Sequence, residues 1–512
     1  QLIVMKEASK SYGRPWIALS FLCLAVLILG IDDTVLNLVL PAISREFMAS
    51  ISELQWMINA YLLAFVALLL TMGALGDRFG RKRMFQLGLV AFGLASLAAA
   101  FSTSMTMLIT CRALMGIAGA MILPQTLSII RATFTDPKSR GQAIGIWAGI
   151  FVLGYGIGPV IGGILMEHFE WRSVFFLNIP VAIITLAGGY FFIQESRDQS
   201  APSLDPIGVI LSIIGLSTFV YGIIKVGEEG WTAGSVVISL CIGVIILVIF
   251  ALWEIRSNHP MLPMRFFKNM SFTGANVAMT LVSFGAISLL FFLSQYFQSV
   301  QGHSPLDTAW RMLPTAMLSL VASILAIQIA RAVGLKLPVC VGLLIGGFGL
   351  LYLSFADMNA SYLWVFGGLA LTSIGIGLVY SPCTDSIMGS LPERKAGIGS
   401  AMDSTVQQLG GVLGIAVLGA ILNATYLHKV ANLEVIASLP KEAYEAIRNS
   451  IQSAHIVAEQ FPEDISGQII SGTSEAFTSG MNEAMFIAAI VMLVAAVITL
   501  FILPNRIRPP QE

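Results

Sequence analysis

The sequence predicts an all-α membrane protein with fourteen spanning helices, and three observations carry that expectation. First, 56% of the 512 residues are hydrophobic and 11% are charged, with a mean hydropathy of +0.84. A soluble domain carries about 25% charge, so this chain lacks the polar residues to cover a water-facing surface. Second, the apolar residues gather into runs of about 20, the length that crosses a bilayer core. Third, the basic residues fall mostly into every second connection. The 28 Lys and Arg against 29 Asp and Glu leave a net charge of −1, which points to no nucleic-acid partner.

The apolar runs lie at roughly 16–41, 52–75, 84–102, 106–131, 140–167, 172–193, 206–225, 234–255, 271–299, 306–330, 337–356, 360–387, 396–427 and 480–503. The first is too long for a signal peptide and lacks a small-residue cleavage pattern, so it is read as a retained helix. With the N-terminus inside, inner segments hold 20 of the 28 basic residues, including Arg394, Lys395, Arg506 and Arg508. Outer segments hold six, and Arg112 and Arg311 fall within or at the edge of spans. That bias, with an even helix number, places both termini in the cytoplasm.

In chain order, the first helix carries two adjacent carboxylates in Ile31-Asp32-Asp33-Thr34, followed by Asn37 and Pro41. Neighbours on a helix point about 100° apart, so at most one faces a given cavity squarely. A carboxylate in hydrocarbon must find a partner or a proton. The alternative is a capped pair at the outer interface. The turn after the second helix reads Gly73-Ala-Leu-Gly76-Asp77-Arg78-Phe-Gly80-Arg81-Lys82. Its glycines let helix ends approach, Asp77 can meet the next helix's N-terminal dipole, and the arginines can face acids or lipid phosphate.

The fourth helix holds Arg112 in Cys111-Arg112-Ala-Leu-Met-Gly116. An arginine there needs a partner or a wet cavity, unless it snorkels to the outer interface. The fifth helix holds Gly154-Tyr155-Gly156-Ile-Gly158-Pro159-Val-Ile-Gly162-Gly163, a groove for close helix contact with one freed backbone bond. A polar linker from Glu195 to Pro206 then marks a seam after six helices. In the second half the acids in or near spans are Asp385, for which a solvated cap is the competing reading, and Asp403. A segment of about 52 residues, His428 to Ser479, is expected outside as short amphipathic helices, either covering helix ends or closing the outer mouth. The aromatics Trp56, Tyr61, Trp147, Tyr155, Tyr296 and Tyr380 offer cation–π faces for a site, although each also suits packing.

The five cysteines, Cys23, Cys111, Cys241, Cys340 and Cys383, lie far apart in apolar stretches and read as small buried hydrophobes. No Cys/His spacing suggests a metal. The five histidines, His259 among them, make no nucleophile constellation. No Gly-x-x-x-x-Gly-Lys-Ser/Thr occurs. The expectation is therefore no enzyme, no metal and no cofactor.

The turn at Gly73–Lys82 resembles the signature loop of the major facilitator superfamily, Gly-x-x-x-Asp-Arg-x-Gly-Arg-Arg/Lys. The resemblance implies a cytoplasmic latch of the outward-open state formed by Gly73, Gly76, Asp77, Arg78, Gly80 and Arg81. Only Arg331, Gly334 and Lys336 stand at the pseudo-equivalent turn. Arg112 with Gly116 resembles that family's fourth-helix pattern associated with proton coupling. Gly154, Gly158, Pro159, Gly162 and Gly163 resemble the antiporter signature of exporters. The first-helix run resembles Asp-x-Thr-x-x-Asn-x-x-x-Pro of the fourteen-helix drug:proton antiporters, with Asp32 at the matching position and Asp33 at a variable one. Gln55-Trp56 with Asn59 and Tyr61, and Trp171-Arg172 with Asn178 and Pro180, extend the likeness over essentially the whole chain.

The resemblance implies the major facilitator fold: a six-helix bundle over 1–195, a linker with two inserted central helices over 196–260, and a second six-helix bundle over 261–512 that carries the loop at 428–479. It implies alternating access in a bacterial plasma membrane, driven by the proton gradient and acting on a lipophilic, often cationic small molecule, with the chain working as a monomer. The coupling candidates are Asp32, Asp33, Arg112 and Asp403. The cavity candidates are Trp56, Asn59, Tyr61, Trp147, Tyr155, Tyr296, Tyr380 and Gln408. Ser319 and Gln408 stand where some quaternary-ammonium exporters carry acids, a departure that argues against divalent cations. A dedicated single-solute exporter and a non-transporting receptor are the rival readings, and the lack of a sizeable cytoplasmic domain argues against the receptor.

Overall fold

A computed structural model of the chain describes residues 2–197, 205–257, 260, 264–391, 396–437 and 439–505. Linker residues 198–204, His259, Arg394, Lys395, Arg506 and Arg508 lie outside the described residues. The helices are α1 (Leu2–Phe47), α2 (Ile51–Phe79), α3 (Arg81–Ala100), α4 (Met105–Thr133), α5 (Pro137–His168), α6 (Ser173–Phe192), α7 (Pro206–Glu229) and α8 (Gly234–Arg256). They continue with α9 (Met270–Gln295), α10 (Pro305–Val333), α11 (Lys336–Leu353), α12 (Tyr362–Gly389) and α13 (Ala396–Ala431). Short helices α14 (Glu434–Ala437), α15 (Lys441–Asn449) and α16 (Ile451–Ala458) precede α17 (Glu463–Ile502). Fourteen of these helices are long and apolar enough to cross a membrane, and the chain is a multi-pass membrane protein. Helices are the natural spanning form because each satisfies its own backbone polar groups where no water is available.

Local sequence sets the helix starts. Ser50 and Glu53 form a reciprocal capping box at α2. Asp136 before Pro137, Asp205 before Pro206 and Ser304 before Pro305 cap α5, α7 and α10. Prolines such as Pro124, Pro159 and Pro382 sit inside spans, where neighbouring helices can compensate the freed backbone groups.

Packing sorts the spans into two groups. Helices α1–α6 pack among themselves, as do α9–α13 with α17. Helices α7 and α8 pair with each other, and α7 lies against α2 and α13. Glycines set these approaches. A Cβ on Gly154 would stand 2.7 Å from the Leu27 carbonyl of α1, and one on Gly227 2.8 Å from the Ala420 carbonyl of α13. Either contact is closer than real Cβ atoms tolerate.

The even number of spans puts both chain ends on one face, here the terminal face; α14–α16 lie on the opposite, loop face. On the loop side the groups are tied together. Gln55 Nε2 donates to the Ile415 carbonyl (2.7 Å), Gln298 Nε2 to the Leu38 carbonyl (2.8 Å) and Asn423 Nδ2 to Ser52 Oγ (3.3 Å). Ser44 and Ser450 hydroxyls meet at 3.0 Å. These bonds all lie on the loop side of the acidic pair in α1. The donor Gln298 belongs to a π-helical turn, Tyr296–Val300.

The structure corrects two expectations. The segment between α13 and α17 runs only from 432 to 462, not 428–479, because both helices extend past the hydrocarbon with charged residues such as Glu475 on their exposed sides. Cys241 is exposed on α8 rather than buried, since α8 packs mainly on α7. The short helices do bring cover to the loop face. Most of α16 is buried, and Gln452 Nε2 donates to Ser299 Oγ at 2.9 Å.

His455 of α16 is pushed down to about 4, first by burial and then by the Arg45 charge facing it. The stability this gives α16 is complete above the ordinary histidine value of 6.5 and is lost as pH falls toward 4. Hydrogen exchange of the α16 amides, corrected for intrinsic rates, should therefore accelerate over that window. His455→Asn should remove the pH dependence.

Candidate functional site

The site is built around the two carboxylates of α1, which the helix turns to different neighbours. Asp32 is 2% exposed. Its Oδ2 accepts from Arg112 Nη1 of α4 at 2.6 Å, and its Oδ1 accepts from Asn178 Nδ2 of α6 at 2.9 Å. The same Asn178 amide donates to Ser96 Oγ (2.9 Å), and Ser96 in turn donates to the Phe175 carbonyl (2.9 Å). Arg112 is 1% exposed, and its guanidinium lies 4.3 Å over the Tyr61 ring. Asp32 is thus neutralised by α4 and anchored by α4 and α6, and Arg112 does not snorkel.

Asp33 faces the other way, toward α5 and the second group. Its Oδ2 accepts from Tyr155 OH at 2.6 Å and from Gln408 Nε2 of α13 at 3.4 Å. Its Oδ1 is buried without a hydrogen-bond partner among the described residues. The cluster Asp32, Asp33 and Arg112 carries one uncompensated negative charge when both acids are ionised, and it resides on Asp33. Tyr155 belongs to a run of rings on α5: Trp147 and Phe151 stack at 5.9 Å, and Phe151 meets Tyr155 edge-on at 5.1 Å. Trp147 Nε1 donates to Thr126 Oγ1 of α4 at 2.9 Å.

The glycine groove of α5 seats α1 beside this site. A Cβ on Gly158 would run into Thr34 Oγ1, and one on Gly162 into Val35. Gly163 instead meets Leu306 and Ala309 of α10. Pro159 lies within the helix.

The other candidates fall elsewhere. Asp403 is held by Thr384 Oγ1 and Gln407 Nε2, each at 2.9 Å, within the second group. Tyr380 OH pairs with Ser283 Oγ at 3.0 Å in the same group. Tyr296 is buried near the loop face, donating to the Asp357 carbonyl at 2.6 Å. Trp56 packs toward Tyr221 of α7. Asn59 is fully buried on α2 with neither side-chain atom hydrogen-bonded among the described residues. Asp385 is exposed.

In the α2–α3 turn, Arg81 Nε donates to Asp77 Oδ1 at 2.7 Å. Gly76 packs against Gln125, which donates to the Met72 carbonyl, and Gly73 against Pro124. Gly80 takes φ +119, and a Cβ there would meet the Glu195 carboxylate. That carboxylate accepts from the Lys82 and Arg83 amides at the start of α3. Arg78 lies over Phe79. These partners all belong to the first helix group.

Sequence reasoning named Asn178 only as part of the resemblance, not as the residue that orients Asp32, and missed Phe151, the middle ring of the α5 run. The i, i+4, i+8 spacing of Trp147, Phe151 and Tyr155 was a signal for the second. No local signal ties Asn178 to an acid 146 positions away.

The chain matches the profile of the Major Facilitator Superfamily over residues 22–415. It is 35% identical over 492 residues to the multidrug efflux pump LfrA of Mycolicibacterium smegmatis, covering 96% of this chain and 97% of that protein. It is 33% identical over 506 residues to the tetracenomycin C resistance and export protein of Streptomyces glaucescens (96% and 93% covered). It is 32% identical over 487 residues to the methyl viologen resistance protein SmvA of Salmonella typhimurium (94% and 97% covered). In fold it is similar to a bacterial homologue of the human lysosomal transporter Spinster, solved inward-facing and unoccupied. That match has a TM-score of 0.67, 18% identity, and coverage of 97% and 99%. It is also similar to the inward-open xylose transporter XylE of E. coli, with TM-score 0.59, 13% identity and 97% of each chain covered.

Removing one partner of a buried ion pair leaves the other charge stranded, at a cost of about 3–5 kcal/mol. Arg112→Ala should therefore lower the thermal melting temperature of the detergent-solubilised protein. Arg112→Ala combined with Asp32→Asn should recover most of that loss.

Proposed function

The chain belongs to the major facilitator superfamily, and on that basis we propose that it is a proton-coupled efflux transporter that exports lipophilic cations by alternating access. The observation that carries the reading is the single uncompensated charge on Asp33, placed where a side chain of the opposite helix group reaches it. The direction of transport is supported by relatives named for efflux, export or resistance.

Physically, one carboxylate serves two competing ligands. At about 4 Å and an effective dielectric near 20, an ionised carboxylate attracts a monovalent cation by about 4 kcal/mol, close to a thousandfold in affinity. A cation–π contact adds about 0.5–2 kcal/mol, so charge sets whether a cation binds and the rings shape which one fits. Protonation of Asp33 removes the charge and releases the cation. A proton and a cation then alternate on one site and are carried in opposite directions. Asp32 stays paired with Arg112 and holds α1, α4 and α6 in register around it.

Alternating access requires the loop-face bonds of Gln55, Gln298, Asn423 and Ser44 to open. With the terminal face closed, the Asp77–Arg81 turn would latch against the second helix group. The Lys and Arg bias supports a cytoplasmic terminal face, in a cell whose plasma membrane supplies the proton gradient.

In proteoliposomes with an imposed pH gradient, the wild-type protein should move tetraphenylphosphonium against an equal flow of protons. Asp33→Asn should abolish the pH dependence and weaken tetraphenylphosphonium binding by roughly a hundredfold or more. Unchanged flux and pH dependence in Asp33→Asn would reject the assignment.

A further inference from the structure

The outer side of the contact between α3 and α6 carries a groove of about 390 Å³, far from the acidic pair of α1. Ile183, Leu186, Ala187, Tyr190 and Phe191 of α6 line it, with Gln86 of α3. The α6 residues lie on successive turns, from Tyr190 near the terminal face to Ile183 about 10 Å deeper. Ile183, Tyr190 and Phe191 are exposed, so the groove opens outward, toward lipid.

Two polar groups of α3 meet this apolar wall, one turn apart. Lys82 stands over its terminal end: its Nζ donates to the Tyr190 carbonyl at 2.7 Å and lies 5.2 Å over the Tyr190 ring. The nearby acids are engaged elsewhere, Asp77 with Arg81 and Glu195 with the α3 amides and Arg83. Lys82 therefore has no ion-pair partner among the described residues, and an ammonium that makes one hydrogen bond keeps further donors to offer. Gln86 lies one turn deeper, about 6 Å along α3. Its Nε2 is buried with no hydrogen-bond partner among the described residues, a state that costs about 1–3 kcal/mol until something accepts from it.

A cation at the surface, an amide donor one turn below it and an apolar wall below that follow the order of phosphate, ester carbonyl and acyl chain in a phospholipid. We propose that the α3–α6 groove binds one anionic diacyl phospholipid of the terminal-face leaflet. Lys82 meets the phosphate, Gln86 Nε2 donates to an ester carbonyl, and an acyl chain lies along Ile183, Leu186 and Phe191. The unpaired lysine favours a headgroup of net negative charge, such as phosphatidylglycerol, over zwitterionic phosphatidylcholine. The apolar wall makes the chain part of the ligand, so phosphate alone does not suffice. This site is independent of the transport reading.

Native mass spectrometry tests it without transport, on the full chain stripped of lipid in detergent and titrated with each phospholipid. The wild type should bind one phosphatidylglycerol about fivefold more tightly than phosphatidylcholine, the worth of one lysine at an anionic surface. Lys82→Gln should bring the two lipids within about twofold of each other. Gln86→Leu should weaken both about fivefold and keep their ratio, as the loss of one hydrogen bond predicts. Ala187 is exposed in the groove, so Ala187→Trp fills the space from outside the core and should remove the bound lipid. Equal binding of the two lipids by the wild type, or an unchanged ratio in Lys82→Gln, would overturn the headgroup assignment. Wild-type affinity in Ala187→Trp or in Gln86→Leu would overturn the groove. Displacement of the lipid by glycerol 3-phosphate would mark a site for free phosphate and reject the phospholipid. A failure to transport would strike the efflux reading and leave these binding results standing.

Discussion

The rest of the site depends on the pairing of Asp32 with Arg112. Two acids side by side in an apolar helix would be a net liability of two charges, each costly to keep from water. One arginine from α4 and one amide from α6 remove half of that liability and fix α1 in place. What is left is a single acid, Asp33, turned toward the seam between the helix groups. The pair therefore supports structure and defines chemistry at once: it makes the remaining charge singular, and a singular charge can hold one cation or one proton.

The closure of the loop face gives that charge its setting. Gln55, Gln298, Asn423 and Ser44 bridge the groups with bonds of modest individual worth, about 0.5–1.5 kcal/mol each. Bonds of that size suit an interface that must open and reform. Breaking a handful of them is within reach of a substrate's or proton's differential binding energy, whereas the apolar cores of each group are not. Gly154 and Gly158 seat α5 against α1, and Gly227 seats α7 against α13, closer than a larger residue would allow.

Much of the fold was legible in the sequence because the bilayer imposes length and hydropathy on every span, and capping residues such as Ser50, Asp136 and Ser304 mark where spans begin. The ends of α13 and α17 were less legible. Hydropathy reports the part of a helix that sits in hydrocarbon, and these helices run on into the polar region with Glu475 and Lys429 on them. Within the site, the scarcity of charge pointed to Asp32, Asp33 and Arg112. Which acid the arginine takes was not readable: adjacent residues differ only in direction, and the deciding partners lie 80 and 146 positions away. The motif position drew attention to Asp32, whereas the geometry pairs Asp32 with Arg112 and leaves Asp33 Oδ1 without a hydrogen-bond partner among the described residues. Gln408 and Asp403 are five residues apart on one helix, yet one reaches across to Asp33 and the other turns inward to Thr384.

In the proposed mechanism one proton and one cation compete for Asp33 alone. Calorimetry of tetraphenylphosphonium binding in buffers of different ionisation enthalpy counts the protons released per cation bound. At a pH low enough that Asp33 begins protonated, the wild type and Asp403→Asn should release close to one proton per cation bound, and Asp33→Asn none. Proton release that persists in Asp33→Asn would contradict it.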